Sequence, residues 1–198
     1  MSWAAAKAAL LPDGRLHLQH GPIDLVIGAE GDPDLVRAAE KAASGRFATV
    51  LGELTEELPL LRRPLAGEVP PALRSPIARR MVAACWPHRA VYITPMAAVA
   101  GGVADEIAAV MLTAAPELRT LHVNNGGDIA VHVAPGATVR IGMVADLASA
   151  LPEGMIAVEH GSGIGGVATS GWRGRSFSLG IADAVTVLAR DAATADAA

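Results

Sequence analysis

The chain has 198 residues, of which 52% are apolar and 18% charged, and its formal net charge is −4. This composition supplies a core for one folded domain of roughly 100–200 residues and is unlike that of disordered chains. Because the chain is mildly acidic and lacks the clustered Lys and Arg that contact with a phosphate backbone requires, we expect no nucleic acid as its main partner.

Cysteine usage and hydropathy bear on location. Cys85 is the single cysteine, so no internal disulfide can form and a reducing compartment fits. No basic segment precedes an apolar run at the start, and the apolar stretch 96–115 is interrupted by glycines and acidic residues. We therefore expect a cytoplasmic protein with no membrane partner, because a membrane span needs roughly 18 uninterrupted apolar residues.

The first part of the chain predicts a hairpin and a third strand. Pro12, Asp13 and Gly14 supply turn dihedrals between two apolar runs, and the second run alternates apolar and polar residues. Another short apolar run is closed by Gly31, as is common for strands. These features give expected strands at 4–10, 16–20 and 23–29.

Helices are predicted next, where a residue able to cap a helix is followed by proline. Proline suits the first helical position because the amide that it lacks would have no partner in the helix. The pattern occurs at Asp32-Pro33, Ser75-Pro76 and Thr94-Pro95. We expect a break in the first helix at Ser44-Gly45, an end of the second near Cys85, an irregular connector over 62–72, a short strand over 91–93 and a third helix over 97–113.

The remaining chain predicts mainly strands. Short apolar runs are separated by Gly, Pro or Asn, which favours turns between strands. The expected strands are 118–123, 129–133, 138–143, 155–159, 176–179 and 184–189. Helices early and strands late predict an α+β fold with a mostly antiparallel sheet and packed helices. We expect one domain over 1–198, and because 191–198 forms a helix without a stop signal, we expect the natural protein to continue.

Asn124-Asn125-Gly126-Gly127-Asp128 is the first segment that can carry chemistry. The glycines permit positive φ or close approach of a ligand, and Asp128 offers a carboxylate. Asn-Gly is equally a strong signal for a hairpin turn. A turn and a ligand-binding loop both remain open from these residues.

A glycine-rich segment over 160–175 is the second such segment. Its backbone amides, hydroxyls and two arginines are the components of an anion or pyrophosphate site. It matches neither a Walker loop nor a nucleophile elbow, because Gly-Lys-Ser/Thr is absent and Ile164 stands two residues after Ser162. A flexible loop with solvated arginines is the alternative.

Small residues dominate the third segment, 95–106, and allow close approach of a ligand or of another helix. Asp105 and Glu106 are adjacent, so on a helix they face different directions and do not form an acid/base pair. The histidines show no zinc-binding spacing. Cys85 is interpreted as a buried residue at a helix end.

The motifs together resemble the ApbE-like superfamily of flavin transferases, and most closely a cytoplasmic branch of it. The resemblance covers 91–198 and rests on three ordered motifs, with the small-residue helix in its usual place. The motifs are Asn124 to Ile129, Ala168 to Gly171, and Val185 to Ala189 leading to Ala195-Asp196-Ala197. The resemblance implies an ApbE-like fold that binds FAD or FMN, with Mg²⁺ near the pyrophosphate, and an unidentified protein acceptor.

The resemblance also implies which residues form the site. Asp196 matches a metal-binding aspartate, a role that suits Mg²⁺ because this ion prefers oxygen ligands. The flavin-binding residues would be Met96, Ala98, Asn125, Gly126, Gly127, Asp128, Thr169, Ser170 and Gly171. Ala100-Gly101 stands where the transferases carry Lys-Gly, and their catalytic histidine has no counterpart. Any acid/base role would therefore pass to Asp128, Asp183 or His160.

The function expected from the sequence is binding of a flavin or related nucleotide, with Mg²⁺, by a divergent ApbE-like protein. One alternative is Mg²⁺-dependent FMN transfer from FAD to a protein, or FAD pyrophosphatase activity. The other is an oligomeric scaffold without catalysis, in which part of the apolar surface forms a contact between copies of the chain.

Overall fold

An antiparallel sheet of seven strands forms the frame of the molecule, whose computed structural model describes residues 4–143, 154–171 and 181–198. Along the chain the strands are β1 (Lys7–Leu10), β2 (Leu16–His20), β3 (Ile23–Glu30), β4 (Thr120–Asn125), β5 (Asp128–Val133), β6 (Thr138–Met143), β7 (Gly154–Glu159), β8 (Gly166–Ser170) and β9 (Val185–Ala189). Within the described ranges the sheet order is β1-β2-β3-β4-β5-β8-β9, and β6 pairs with β7 separately. The α+β prediction with a mostly antiparallel sheet is confirmed.

The helices are α1 (Pro33–Leu61), α2 (Pro76–Cys85), α3 (Val99–Ala114) and α4 (Ala192–Asp196). The predicted cap at Asp32 is confirmed, since its carboxylate accepts the Asp34 amide at 2.8 Å. The predicted break at Ser44-Gly45 is wrong. The helix continues there because Ala43 and Phe47 on either side are fully buried, and tertiary packing outweighs the low helix propensity of glycine.

One face of the sheet packs against the helices and forms the main core. Alternation along the strands puts every second residue on this face, so apolar side chains from β2, β3 and β4 meet those of α1 and α3. Fully or almost fully buried members are Leu18, Leu25, Ile27, Phe47, Val50, Ile107, Met111, Leu121 and Val123. The opposite face is covered in part by the β6–β7 hairpin, through Val133, Val139 and Val158.

Two predictions of local structure are wrong. Segment 91–93 is not a strand, because Val91 and Tyr92 are exposed and the amide of Val91 donates within a turn to the carbonyl of His88 at 3.1 Å. The carbonyl of Ile93 accepts the amide of Leu65 at 2.9 Å. The segment 160–175 is not all loop, because it contains β8, in which Val167 and Ala168 are buried. The strand expected over 176–179 lies outside the described residues.

The helical stretch Pro95–Ala114 has 20 residues and a mean hydropathy of 1.5, so it is long and apolar enough to cross a membrane. From the sequence alone no such helix is expected, because glycines and acidic residues interrupt this stretch. It is formed by a 3-10 turn, Pro95–Ala98, followed directly by α3. More than half of it is buried inside the protein, where α3 packs against α1, α4 and the sheet. It is therefore a core helix of this protein.

Candidate functional site

Several chain segments meet at one end of the sheet. β4 ends and β5 begins there, at the directly paired residues Asn125 and Asp128. β8 ends and β9 begins at the same end, because Ser170 pairs with Val185. The start of α3 lies beside them, since the side-chain amide of Asn125 donates to the carbonyl of Ala100 at 3.1 Å. The end of α4 is close to the start of α3, because Asp196 accepts the amide of Gly101.

The β4–β5 connection is a tight turn of two glycines. Gly126 and Gly127 have φ values of +68° and +114°, which residues with a side chain rarely adopt. The amide of Gly127 donates to the side-chain oxygen of Asn124 at 2.9 Å, which fixes the turn. The hairpin interpretation of this motif is thus confirmed, and its ligand interpretation stays a prediction.

Asp128 carries a polar atom without a partner. Its Oδ1 atom is buried and has no hydrogen-bond donor among the described residues. Burial raises the pKa of this carboxyl to about 7, and the nearby negative charge of Asp196 adds to the increase. A charged carboxylate at this position lacks the compensation that buried charges require.

Asp196 lies at the end of α4 and faces the start of α3. Its Oδ2 atom accepts the amide of Gly101 at 2.9 Å. Burial raises the pKa of Asp196 to about 6, although the amides of Gly101 and Ala100 counteract part of this effect. We call Asp128 and Asp196 together the carboxylate site.

A second contact between the same two helices is made by Asp105 on α3, whose carboxylate binds the start of α4. Its two carboxylate oxygens accept the amides of Ala192 at 3.0 Å and Ala193 at 2.8 Å. Burial raises the pKa of Asp105, and these two amides counteract part of the increase. The helices touch here, because a Cβ atom on Gly101 would lie 2.3 Å from the carbonyl oxygen of Ala192.

Two further motif residues border the site. The hydroxyl of Thr169 lies 3.0 Å from that of Thr186, across the β8–β9 pair. A Cβ atom on Gly171 would lie 2.0 Å from the carbonyl oxygen of Asp183, so glycine lets these two backbone segments touch. Ser170, between them, is exposed, as is Asp183. The structure therefore gathers Asn125 to Asp128, Thr169 to Gly171, Asp183 and Asp196 at one end of the sheet.

Three other predicted residues are not part of this arrangement. His160 lies at the opposite end of β5, where its Nδ1 atom is 2.9 Å from the carbonyl oxygen of Val133. Val133 is separated from Asp128 by about 17 Å along the strand. Ala98 is fully buried in the main core, and Met96 is partly buried and packs against that core.

Sequence reasoning gave Asp105 no role, although Asp105 and its neighbour Glu106 are the acidic residues within an apolar helix. It assigned Cys85 correctly as buried at the end of a helix. The thiol lies 3.8 Å from the carbonyl oxygen of Pro95. Burial, together with the charge of Asp196, raises the pKa of Cys85 to about 12, so the thiol stays protonated.

Metal binding at the carboxylate site can be judged from its donor set. In the described parts of the chain, no group of three or more His, Cys, Asp or Glu side chains is arranged to hold a metal ion. Mg²⁺ commonly uses only one or two carboxylates and takes its remaining ligands from water and substrate phosphates. The unpartnered oxygen of Asp128 beside the carboxylate of Asp196 fits such an ion.

A surface cavity of about 540 Å³ lies elsewhere, between α1 and the start of α2. Arg46, Glu53 and Glu57 in its lining already have hydrogen-bond partners. Arg46 binds Glu53 at 2.6 and 2.8 Å, and Glu57 accepts the amides of Arg74 at 2.7 Å and Ser75 at 2.9 Å. We assign these groups a structural role.

Comparison with known proteins supplies the family. The protein family described as AbpE bacteria matches residues 8–198. The chain belongs to this family. Relatives of this AbpE bacteria member include a UPF0280 protein of Methanothrix thermoacetophila, 38% identical over 125 residues, which are 62% of this chain and 48% of the relative.

Two further relatives are UPF0280 proteins of other archaea. That of Methanopyrus kandleri is 39% identical over 106 residues, 54% of this chain and 40% of the relative. That of Archaeoglobus fulgidus is 40% identical over 105 residues, 53% of this chain and 41% of the relative. The chain thus spans somewhat less than half the length of these curated relatives. Their names state no activity and no ligand.

These findings correct the family expected from the motifs. They support a UPF0280 and AbpE-like family and not the flavin transferase superfamily. The structure supplies a physical reason for the misleading motifs. Glycines at 126–127 are required by the hairpin, and Gly101 and Gly171 by close backbone contacts, so these positions favour glycine whatever the ligand.

Proposed function

We propose that this member of the AbpE bacteria family binds Mg²⁺ together with a flavin or related nucleotide at the carboxylate site. The observation that carries the proposal is the buried Oδ1 atom of Asp128, which has no hydrogen-bond partner in the described part of the chain and lies near the second carboxylate, Asp196. A divalent cation would supply the missing partner and offset the repulsion between the two carboxylates.

The nucleotide part of the proposal rests on what surrounds the carboxylates. Bound Mg²⁺ would hold phosphate oxygens and offset their charge. Gly126 is exposed with open space beside it, and Ser170 offers an exposed hydroxyl at the same end of the sheet. A phosphate group can approach the backbone closely at such positions. We propose binding and assign no reaction.

Location and partners follow from the same proposal. A reduced, buried Cys85 and a soluble domain suit the cytoplasm. The partner would be a small nucleotide, with neither nucleic acid nor a membrane involved. Sedimentation of the protein with and without nucleotide would measure whether copies of the chain associate.

The test is a fluorescence titration of FAD into the full-length protein, with and without Mg²⁺. We expect Mg²⁺-dependent binding that is weakened at least tenfold in Asp128→Asn. Asp24→Asn is the matched control, because Asp24 is exposed on β3 and pairs with His17 at 2.9 Å on the other face of the sheet. Absence of FAD binding under both conditions would contradict flavin binding, and equal loss in both variants would contradict the assigned site.

A further inference from the structure

Asp105 is a buried acidic residue that the proposed cation does not contact. It lies in the middle of the apolar helix α3 with only 8% of its surface exposed. Both of its carboxylate oxygens accept amides, from Ala192 and Ala193, the first two residues of α4. An acidic side chain at the start of a helix stabilises that helix through these otherwise unpaired amides.

α4 depends on such contacts for its position. It has five residues, too few for a helix to be stable by itself in water. Its other cap is local, from the Asp191 side chain to the Thr194 amide at 2.7 Å, and does not tie it to the rest of the protein. Asp105 therefore attaches the start of α4 to α3.

The same short helix ends in Asp196. Asp196 lies four positions after Ala192, which is about 6 Å along the axis of a helix. A change in the attachment of α4 at its start is thus transmitted directly to the Asp196 carboxylate. At that end, the amide of Gly101 donates to Oδ2 at 2.9 Å and holds the carboxylate in place.

We infer that Asp105 is the positioning residue of the carboxylate site: by fixing α4 against α3, it holds the carboxylate of Asp196 where a divalent cation binds. This inference rests on the proposed function. Residues behind the metal ligands commonly change metal affinity by 10- to 100-fold when they are replaced. Metal affinity should therefore respond to Asp105 more strongly than overall stability does.

Asp105→Asn is the decisive variant. Asparagine keeps one acceptor oxygen, but its NH2 group would face a backbone amide donor, so one of the two bonds to α4 is lost. Glu106→Gln is the matched control. Glu106 is the next residue on α3 and also 8% exposed, but it pairs with Arg46 at 2.9 Å and Arg80 at 3.7 Å, away from α4.

Two measurements on the full-length protein test the inference: Mn²⁺ binding followed by electron paramagnetic resonance, and amide hydrogen exchange of Gly101 without metal. For Asp105→Asn we expect Mn²⁺ binding weakened about 10- to 100-fold and faster exchange at Gly101. For Glu106→Gln we expect Mn²⁺ affinity within about twofold of wild type. Wild-type affinity in Asp105→Asn, or an equal loss in the control, would overturn the inference.

The exchange measurement separates this inference from the proposed function. A wild-type protein that binds no Mn²⁺ would overturn the proposed function. In that case, faster exchange at Gly101 in Asp105→Asn would still support the attachment of Asp196 through α4. Unchanged exchange at Gly101 in that variant would overturn the inference whether or not Mn²⁺ binds.

Discussion

Asp105 and Asp196 each cap the helix that carries the other. Asp105 of α3 accepts the first two amides of α4, and Asp196 of α4 accepts the amide of Gly101 in the first turn of α3. These bonds fix a short helix in place and bring Asp196 near Asp128. Burial and the charge of Asp196 raise the pKa of Asp128, so the two carboxyls should titrate together near neutral pH.

The first prediction concerns stability and pH. The pKa of Asp128 is about 7 in the folded protein against an ordinary 3.8. Its contribution to stability is therefore fully present below pH 3.8 and is lost as pH rises to about 7. Asp128→Asn should stabilise the metal-free protein at pH 8 by about 1–3 kcal/mol, and by less at pH 5.

Urea denaturation of wild type and Asp128→Asn at both pH values measures this difference. Asp24→Asn serves as control, because the exposed Asp24 lies outside the carboxylate site. An equal effect of Asp128→Asn at pH 5 and pH 8 would show that Asp128 does not titrate in this range.

The second prediction concerns the contact between α3 and α4. Gly101→Ala places a Cβ atom 2.3 Å from the carbonyl oxygen of Ala192, so the helices must separate. We expect a loss of about 1–3 kcal/mol in the free energy of unfolding, as is typical of overpacking. Gly45→Ala on α1 is the control, since Gly45 is exposed with open space around it and should gain about 0.5–1 kcal/mol. Similar changes in thermal denaturation of both variants would refute the contact.

The third prediction concerns Arg46, which joins α1 to α3. Its guanidinium binds Glu53 at 2.6 Å and the buried Glu106 at 2.9 Å. Arg46→Ala should cost about 3 kcal/mol, because it leaves the buried carboxylate of Glu106 poorly compensated and removes the partner of the partly buried Glu53. Arg37→Ala breaks an exposed pair with Asp34 and should cost less than about 1 kcal/mol. Chemical denaturation that gives equal costs would show that the buried network is not stabilising.

The fourth prediction concerns His160, which the motifs suggested as an acid/base group. Because it lies at the end of β5 opposite to Asp128, His160→Ala should leave Mn²⁺ affinity within about twofold of wild type. Titration followed by electron paramagnetic resonance measures the affinity. A loss comparable to that in Asp128→Asn would place His160 in the site after all.

Local signals predicted much of the fold. Asp32-Pro33, Ser75-Pro76 and Thr94-Pro95 marked helical starts correctly, because proline suits the first helical position. Of the three cap residues, Asp32 accepts a hydrogen bond with its side chain, and Ser75 and Thr94 do not. β8 was missed because Gly165 and Gly166 favour a loop locally. In the structure, a Cβ atom added to either glycine would lie about 2.2 Å from the backbone of residues 190–192. Glycine is needed at these positions because of this close contact with a later segment, which local sequence does not reveal.

The site was predictable only in part. The turn at Gly126-Gly127 has a local sequence signal, and Asp128 follows it directly. The contact between Asp105 and α4 has no local signal, because the two amides that donate to Asp105 lie 87 and 88 residues further along the chain. The single-domain organisation stays a prediction.

Mn²⁺ binding to the wild-type protein and to Asp128→Asn, each measured at pH 8 and pH 5.5, decides whether the two carboxylates form a cation site. With pKa values of about 7 for Asp128 and about 6 for Asp196, protons compete with the metal as the pH falls. We expect binding at pH 8 that weakens at least tenfold at pH 5.5 and is lost in Asp128→Asn. Binding that is equal in both proteins, or no binding at pH 8, would contradict a cation site at Asp128 and Asp196.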